Sequence, residues 1–511
     1  MNTNGEAHTL VLLQWLPYIA FSTLIAKIIW IVTWRLWFHP LASIPGPRLA
    51  AICGLWEVWQ DIGQDGNLPR AVAELHRKYN TDIIRISPNH VHIDNPEFYF
   101  QIFKVNTDFH KDRGFYERMA VPQSLLTVDT KTARSLRSKA NPILAPRDWG
   151  SLADEAQSIT KKASDQLLAQ SRGGENVEIL FTLRCISTDI ICNLSFGFIP
   201  DFVTRLDEGK KLFNVLDITL EGFWYMIHIP FLMTPAFVLP TWILKLVMPA
   251  VIHFREQGGA WVDRALNPAS DTTNSSNPHQ STLMGLLNPF PGKKPDHATR
   301  EWLIDQANTL VFAGVDTTAV TLVYTFHQIL SSPDICRRLQ EELRDATPII
   351  RTCFDWRKVR QLPYLSAVIK EGLRLGASVP GRLPRVVPPQ GLQHRDRFIP
   401  GGMIVSSNIY SMHHNPSVFP SPDTFNPDRW LADDSIELEK YNVAFSKGSR
   451  SCIGMNLAYL ELYTVLAVFF NRFDLQLEES TAGRELAWSD RFAKAITEVV
   501  KVRVLKDHWE E

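Results

Sequence analysis

Few of the features that mark nucleic-acid binding or a disulfide-stabilised fold occur in this sequence. Its 511 residues carry a formal net charge of -1, and no basic tract with interleaved aromatic residues is present, so a nucleic-acid partner is not expected. The six cysteines are scattered without CxxC pairs or regular spacing, which excludes a disulfide framework and zinc knuckles. No GxGxxG fingerprint, flavin segment or iron–sulfur cysteine cluster is present, so any redox activity must draw electrons from a partner.

The N-terminal segment is predicted to anchor the protein in a membrane. Residues 10–34 are almost entirely apolar, and as a helix they span roughly 35 Å, enough to cross a hydrocarbon core of about 30 Å. Residues 1–9 contain no Lys or Arg, whereas Arg35 follows the apolar run. The positive-inside bias therefore puts residues 1–9 in the lumen and the body in the cytosol. The charge of Lys27 inside the run leaves a buried or interfacial helix as the alternative.

A proline-rich hinge at residues 35–49 is predicted to separate this anchor from the body. In residues 44–47 two prolines bracket a glycine, which prevents the helix from continuing and makes a stiff elbow. From residue 50 to residue 511 we find no long linker and no internal repeat. Residues 50–511 are therefore predicted to form one large catalytic domain.

This domain is predicted to be mainly α with minor β. Strand-like alternation occurs at residues 83–86 and 90–93, on either side of a turn. A stretch rich in Asn, Ser, Thr, Pro and Gly at residues 268–294 is predicted to be an exposed loop. Helical patterns dominate elsewhere, notably at residues 155–169, 183–194, 301–330 and 333–345.

Residues 223–251 form a second strongly apolar and aromatic stretch. Pro230, Pro235 and Pro240 interrupt it at short spacing, which disfavours a second transmembrane helix. A hydrophobic lid or membrane-dipping loop is one interpretation, and ordinary buried core is the other.

The sequence FSKGSRSCIG at residues 445–454 indicates the chemistry. It precedes a helical run at residues 456–471. A loop that enters a helix N-terminus surrounds Cys452 with amide donors, which an anionic sulfur requires. Gly448 and Gly454 carry no side chain, and this would let a flat macrocycle approach the backbone.

Two further residues of this motif suit an iron porphyrin bound through the sulfur of Cys452. Arg450 can pair with a haem propionate, and Phe445 can shield the proximal face and influence the reduction potential. The complete pattern resembles the signature of the cytochrome P450 superfamily. The resemblance implies a cytochrome P450 fold, haem b (iron protoporphyrin IX) as cofactor, and Cys452 as the axial ligand of the haem iron.

Two more segments are similar to motifs of this family in order and spacing. Glu371 and Arg374 form an ExxR pair on one helix face, and buried charges must be paired. Residues 425–430, FNPDRW, resemble the PERF-type loop of the family, in which Arg429 would complete a Glu–Arg–Arg cluster. We interpret this cluster as structural, holding the haem-binding core.

Residues 313–318, AGVDTT, resemble the oxygen-activation motif in the long central helix of the family. Gly314 would remove a side chain where dioxygen binds, at a cost of about 1 kcal/mol of helix propensity. As catalytic residues, Thr317 would hydrogen-bond the bound oxygen and Asp316 would help to relay protons from solvent. On its own, this segment would be interpreted as a polar kink in a buried helix.

Two arginines outside these motifs are predicted, by resemblance, to bind the haem propionates. Arg137 lies in a segment similar to the family helix that crosses the propionates. Ala133 stands where the family often has Trp or His, which removes one hydrogen bond. Arg385 follows the ExxR helix at the usual distance, and a solvated strand charge is its alternative interpretation.

The resemblance implies a monooxygenase that inserts one oxygen atom from O2 into an apolar small molecule, by hydroxylation or epoxidation. A thiolate ligand favours O–O cleavage, and the electrons would come from NADPH through a separate NADPH–cytochrome P450 reductase. The alternative is a haem-thiolate isomerase or dehydratase that needs neither O2 nor a reductase. Such relatives commonly lose the acid–alcohol pair, which Asp316 and Thr317 retain here. The same retention disfavours a non-catalytic haem-binding protein.

The substrate and the location are also inferred by resemblance. Residues 82–102 and 382–385 are similar to fungal secondary-metabolism members of trichodiene oxygenase type, which implies a terpenoid or other secondary-metabolite intermediate. An aromatic polyketide or an alkaloid is the alternative. The anchor implies a microsomal-type, single-pass protein of the endoplasmic reticulum membrane, in contact with membrane lipid, with a cytosolic catalytic domain. The segments expected to line the substrate pocket are residues 115–126, 216–223, 313, 378–381 and 491–492.

Overall fold

The structure, a computed structural model, describes residues 3–510 except for 120, 122, 145–148, 234–239, 248, 267–294, 353 and 434. The loop predicted at residues 268–294 lies outside the described residues.

Helices dominate the fold, as the sequence predicts. In chain order the α-helices are α1 (Thr3–Thr33), α2 (Arg48–Ile52), α3 (Leu55–Val58), α4 (Leu68–Tyr79), α5 (Pro96–Ile102), α6 (Arg113–Tyr116), α7 (Thr130–Leu144), α8 (Gly150–Arg172), α9 (Ile179–Phe196), α10 (Leu206–Glu221), α11 (Phe223–His228), α12 (Thr241–Val247), α13 (Pro249–Leu266), α14 (His297–Ser331), α15 (Pro333–Asp345), α16 (Trp356–Val359), α17 (Pro363–Gly376), α18 (Ile409–His413), α19 (Ser435–Glu439) and α20 (Met455–Arg472).

The strands form small sheets at the side of this helical body. The largest sheet has the order β1-β2-β8-β5-β3, in which β1 and β2 are antiparallel and β2 and β8 are parallel. A three-stranded sheet has the order β4-β12-β9, and β6-β7 and β10-β11 are antiparallel pairs. The strands are β1 (Ile83–Ser87), β2 (His90–Ile93), β3 (His110–Lys111), β4 (Val177–Glu178), β5 (Arg385–Val386), β6 (Leu392–His394), β7 (Arg397–Ile399), β8 (Ile404–Ser406), β9 (Phe473–Leu477), β10 (Trp488–Arg491), β11 (Ala493–Ile496) and β12 (Lys501–Asp507).

Helix α14 runs through the middle of the body and organises the core. It begins after Asp296, whose carboxylate accepts a hydrogen bond from the amide of Thr299, an N-cap that satisfies a free backbone donor. The helix packs against α9, α13, α17 and α20. A Cβ on Gly372 of α17 would lie 2.1 Å from the Oγ1 of Thr325. A glycine is therefore required for α17 to approach α14 this closely.

The N-terminal helix stands apart from the body. A continuous helical segment, α1 followed by a π-helical turn at Trp34–Phe38, extends past the predicted end of the anchor at residue 34. Within it, Trp15–Phe38 is long and apolar enough to cross a membrane and is not buried in the protein. Helices α9 and α14 also meet these length and composition limits, but most of their residues are buried.

The predicted hinge is packed against the body. The guanidinium of Arg35 donates to the carbonyl of Ile52 at 2.6 Å, and Leu41 is fully buried. A Cβ on Gly46 would lie 2.2 Å from the carbonyl oxygen of Arg85. These contacts pack residues 35–46 against the catalytic body.

The apolar stretch at residues 223–251 contains both buried and exposed apolar side chains. Its first helix, α11, buries Phe223 and Trp224 against Phe115 and Tyr116. Further on, the most exposed large apolar side chains are Phe231, Trp242 and Leu246. One part of this stretch is therefore core, and another part presents apolar surface to the surroundings.

Candidate haem-thiolate site

Cys452 lies in a tight loop that leads into α20. Its amide donates to the carbonyl of Phe445 at 2.8 Å, which closes the loop. Ser446 and Gly448 have φ values of 55° and 74°, a left-handed conformation that glycine adopts without strain. The thiol lies deep below the protein surface and is open to an internal cavity, which Phe445 also lines.

The two glycines of this loop have different roles. A Cβ on Gly448 would lie 2.1 Å from the carbonyl oxygen of Phe103. Gly448 is therefore required by packing against that backbone, and its role in admitting a macrocycle stays a prediction. Gly454 lines the cavity, and its amide donates a hydrogen bond to the Cys452 sulfur.

The surroundings of the sulfur affect its ionisation in two directions. Burial raises the pKa of the Cys452 thiol, whereas the Gly454 amide and the positive charge of Arg137 favour the thiolate. Arg137 itself donates to the carbonyl of Ser451 at 2.9 Å. A bound metal ion deprotonates a coordinating thiol outright, so this environment suits a metal-ligating sulfur.

Three of the predicted arginines converge above the thiol. Arg450 donates to the carbonyls of Val128, Leu125 and Leu126. Arg385 is 4 % exposed, so its interpretation as a solvated strand charge is wrong. Its guanidinium donates to the hydroxyl of Tyr116 at 3.1 Å. Arg385 and Arg450 line the same cavity as Cys452, and Arg137 approaches it from the side of Ser451.

Sequence reasoning missed a fourth cation at this place, Lys111 of β3. Its Nζ donates to the carbonyl of Leu126 at 2.7 Å and lies 4.1 Å from the centre of the Tyr116 ring. Burial, followed by the charges of Arg450 and Arg385, lowers the pKa of Lys111 well below its usual range. No sequence signal distinguishes this lysine, because a lysine on a short strand usually faces solvent.

These cations, which we call the cationic group (Lys111, Arg137, Arg385 and Arg450), provide a test of whether haem fits. Among the residues that the structure describes, none of the four forms a salt bridge with a carboxylate. Burial and the neighbouring Arg385 lower the pKa of Arg450 to about 10. Buried cations require anionic partners. The two propionates of a haem would supply them above a sulfur ligand, so the residues fit this cofactor.

Helix α14 forms the opposite wall of the cavity, with Ala313, Gly314 and Thr317 facing it. The Thr317 hydroxyl donates to the carbonyl of Ala313 at 2.7 Å, which leaves its lone pairs available to a ligand. A Cβ on Gly314 would lie 3.0 Å from the Cγ1 of Ile191 in α9. The glycine therefore permits close packing of α14 on α9, a role that the sequence did not indicate.

Asp316 points away from this cavity. Its Oδ1 accepts a hydrogen bond from the Nε of Arg184 at 2.7 Å, and its Oδ2 has no partner among the described residues. Arg184 also binds Asp217, whose side chain is 47 % exposed. Burial raises the pKa of Asp316, and Arg184 acts against this shift. A chain of charged groups thus connects the α14 carboxylate to the surface.

The ExxR helix and the FNPDRW loop meet around one carboxylate. Glu371 accepts from Arg374 at 2.8 and 2.9 Å, from Arg429 at 3.1 Å and from the indole of Trp430 at 2.9 Å. Arg374 is fully buried and also donates to the carbonyls of His413 and Pro422. This arrangement ties α17 to the segment that precedes the cysteine loop.

Comparisons with known proteins agree with this geometry. A sequence model of the cytochrome P450 family matches residues 45–496. The cytochrome P450 monooxygenase aneF of Aspergillus aculeatus is 38% identical over 478 residues, which cover 93% of this chain and 96% of that protein. The cytochrome P450 monooxygenase ankB of Aspergillus thermomutatus is 33% identical over 500 residues, covering 97% of this chain and 94% of that protein.

Solved structures show the same fold at low sequence identity. A retinoic acid-bound cyanobacterial CYP120A1 matches with a TM-score of 0.67 and 19% identity, over 85% of this chain and 93% of that one. A cytochrome P450 named CYP102L1 matches with a TM-score of 0.66 and 17% identity, over 86% of this chain and 99% of that one. The chain therefore belongs to the cytochrome P450 family and is an oxidoreductase of the monooxygenase type.

Proposed function

We propose that this cytochrome P450 is a membrane-anchored enzyme of secondary metabolism. It inserts one oxygen atom from O2 into an apolar terpenoid intermediate by hydroxylation or epoxidation. Its electrons come from NADPH through a separate NADPH–cytochrome P450 reductase. The observation that carries this proposal is the position of the Cys452 thiol, open to a largely apolar cavity between α14 and the cationic group.

Haem b would be held by residues on both sides of this cavity. Cys452 would ligate the iron, and the cationic group would bind the propionates. Phe445, whose ring is tilted against that of Tyr459 with the ring centres 5.4 Å apart, would cover the proximal face. When bound, the haem supplies the oxygen chemistry, and its thiolate ligand favours O–O cleavage. The protein positions the substrate, excludes water and delivers protons.

Proton delivery is assigned to residues on α14. The hydroxyl of Thr317 faces the cavity, and the carboxyl of Asp316 lies one residue before it. Because the pKa of Asp316 is raised, this carboxyl holds a proton more readily than an exposed aspartate. Protons would arrive from solvent at Asp217, and rotation of Asp316 away from Arg184 would bring them to Thr317.

The walls of the cavity support an apolar substrate. Its distal part is lined by Leu126, Phe312, Val379, Leu383 and Phe492, and mainly apolar pockets bind apolar ligands. Most of these positions fall within the segments that the sequence predicted for the pocket. The relatives named above are fungal monooxygenases, which favours a secondary metabolite as the substrate.

The central test is spectroscopic. We expect the reduced protein with carbon monoxide to absorb near 450 nm, as a haem-thiolate does, and Cys452→Ala to lose this band. Product formation from a terpenoid panel should then require O2, NADPH and the reductase together. If turnover proceeded anaerobically without NADPH, the isomerase or dehydratase alternative would replace the monooxygenase. If Cys452→Ala kept the thiolate spectrum, the assignment of the ligand would be wrong.

The location in the endoplasmic reticulum membrane is proposed from the N-terminal apolar helix. Residues 1–9 would face the lumen of the endoplasmic reticulum and the body would face the cytosol, since residues 1–9 contain no Lys or Arg whereas Arg35 follows the apolar run. The sequons at Asn193 and Asn274 should then carry no glycan; Asn274 lies outside the described residues. Glycosidase treatment of the protein from microsomes tests this orientation, because a glycan at either site would show that the body faces the lumen.

A further inference from the structure

A groove lies at the protein surface between α10 and α13, away from the haem-thiolate site. This groove, which we call the outer groove, has a volume of about 740 Å³. A space of about 300–1,000 Å³ is usual for a small-molecule site. Apolar side chains dominate the lining, among them Val215, Ile218 and Val251, while Lys245 and Glu256 form an ion pair at 2.8 Å beside them. The outer groove can therefore hold an apolar molecule.

The outer groove is connected to the cavity above Cys452 through a small space of about 70 Å³, which we call the inner chamber. Three residues line both the outer groove and the inner chamber: Thr219, Met226 and Val251. Three other residues line both the inner chamber and the cavity above Cys452: Leu126, Phe312 and Phe492. Each set lies at the boundary between two spaces. The three spaces therefore lie in series, from the protein surface to the thiol.

The boundary between the outer groove and the inner chamber can open by movement of one side chain. The inner chamber is far smaller than a small-molecule site, so a ligand passes only when a side chain moves aside. Met226 of α11 is 8% exposed, and an unbranched methionine changes shape at little cost. The hydroxyl of Thr219 donates to the carbonyl of Val215 at 2.8 Å, so it does not need a polar ligand. The boundary thus suits the passage of an apolar molecule.

The other side of α11 is closed by polar contacts. A second surface pocket lies there, but among the described residues none lines both this pocket and the inner chamber or the cavity above the thiol. His228 of α11 binds the carboxylate of Asp61 at 2.7 Å, and the indole of Trp224 donates to the carbonyl of Asp490 at 2.5 Å. A ligand that passed on this side would break both contacts. Rotation of the Met226 side chain requires no such break.

The outer groove lies beside the apolar surface of α12. Lys245 of this helix lines the groove, and its neighbours Trp242 and Leu246 are 67% and 78% exposed. Tyr225 of α11 also lines the groove and is 47% exposed. Exposed apolar surface of this kind marks a membrane contact, and an apolar compound partitions from water into lipid. A molecule dissolved in the membrane therefore meets the outer groove directly.

We propose that the substrate enters through the outer groove. It leaves the membrane lipid, binds in the groove and passes Met226 and Val251 to reach the cavity above Cys452. This inference rests on the proposed function for the apolar character of the substrate. It makes Met226 and Val251 the residues that set the rate of access, and it makes α11, with its polar contacts, a fixed wall of the path.

The test measures how fast an apolar azole reaches the haem in the full-length, haem-loaded protein in phosphatidylcholine vesicles. The probe is 1-phenylimidazole, whose ring nitrogen binds haem iron and changes its absorbance whatever the natural substrate is. In stopped-flow experiments we expect Val251→Phe to slow association and dissociation alike by about tenfold, because overpacking raises a barrier by an amount of this order. Val251→Ala should accelerate both. The affinity should stay unchanged, because Val251 lies outside the cavity in which the probe binds.

His228→Ala is the matched control for the other side of α11. It removes the contact with Asp61 and should leave both rates unchanged. Faster binding in this variant would show that ligands pass on that side and would overturn the proposal. Unchanged rates in the Val251 variants, or a changed affinity, would also overturn it, and Val251→Ala decides the question if the larger side chain prevents folding. Loss of the 450 nm band in the unmodified protein would instead refute the proposed function.

Discussion

Lys111 is a cation beside the cavity with no carboxylate partner among the described residues. Its ammonium group is buried beside Arg385 and Arg450, and its hydrogen bond goes to a backbone carbonyl. A buried ammonium group is costly unless it pairs with an anion or loses its proton, and the lowered pKa of Lys111 favours loss of the proton until an anion occupies the cavity. Ala133, where the family often has a propionate donor, supplies no hydrogen bond here. Lys111 is therefore placed to supply the missing contact to a propionate.

We expect Lys111→Met to weaken haem retention. A hydrogen bond to a charged group contributes about 1.5–3 kcal/mol, so haem should leave this variant about tenfold faster or more. Transfer of haem to apomyoglobin measures the rate without reference to turnover. Lys104→Met serves as the control, because Lys104 is an exposed lysine nearby in the chain. Equal transfer rates for the two variants would show that Lys111 does not contact the cofactor.

Glu461 gives the protein a pH-dependent stability. It is buried on α20 and accepts a hydrogen bond from Ser187 at 2.7 Å, and burial raises its pKa from 4.5 to about 8. The native state therefore keeps this proton as the pH rises from 4.5 to 8, whereas the unfolded chain loses it. Ionisation favours the unfolded state over that range, so the free energy of unfolding should fall as the pH rises.

We expect Glu461→Gln to remove this pH dependence. The variant should be more stable than the unmodified protein at pH 7.5, and the difference should shrink towards pH 5. Urea denaturation at several pH values measures this. Glu341→Gln, at an exposed glutamate paired with Arg337, should show no such trend. A Glu461→Gln variant that is destabilised equally at all pH values would contradict the argument.

At the scale of secondary-structure elements, helices α9, α10 and α14 together form the proposed proton path. Each contributes one charged residue: Arg184 from α9, Asp217 from α10 and Asp316 from α14. Movement of α10 when a substrate binds would change the hydrogen bond that Arg184 donates to Asp316. On the proposed path, the supply of protons would thus depend on the packing of these three helices.

We expect Asp316→Asn to slow product formation by about 10²-fold or more, because general acid catalysis contributes factors of that size. The solvent deuterium isotope effect on turnover should rise at the same time. Asp305→Asn is the control, since Asp305 is also a buried aspartate of α14 paired with an arginine, Arg255. Equal effects of both substitutions would point to lost salt bridges and not to proton delivery.

Some elements could be predicted from the sequence and others could not. The helix at residues 301–330 and the strands at 83–86 and 90–93 follow from local periodicity, and the structure contains them. The roles of Gly314 and Gly448 could not be predicted, because each glycine is required by a neighbour distant in sequence, Ile191 or Phe103. Close packing between segments that are distant in the chain cannot be recognised from the local sequence pattern.

At the scale of the whole molecule, we predict that membrane contact involves more than α1. Phe231, Trp242 and Leu246 are strongly exposed, and burying such a side chain in an apolar phase contributes roughly 1.5–3 kcal/mol. The body begins to pack at Arg35 and Leu41, after the apolar run. Removal of the run should therefore leave the body folded.

We expect a protein lacking residues 1–34 to lose its integral membrane association but to retain weak, detergent-sensitive binding. Flotation with phospholipid vesicles measures the bound fraction. Replacing Trp242 and Leu246 by serine in the shortened protein should reduce the remaining binding further. If the shortened protein stayed membrane-bound to the same extent as the full chain, residues 10–34 would not be the principal anchor.

The sequence by itself predicted Cys452 as the cofactor ligand and determined the reaction class. The motif around Cys452, with the ExxR pair and the AGVDTT segment, is a local pattern that one linear stretch can specify. The tertiary structure alone decided which charges meet: Lys111 lies beside Arg385 and Arg450, and Arg184 binds Asp316. These groups come from elements distant in sequence, so their proximity and burial follow only from how the elements pack.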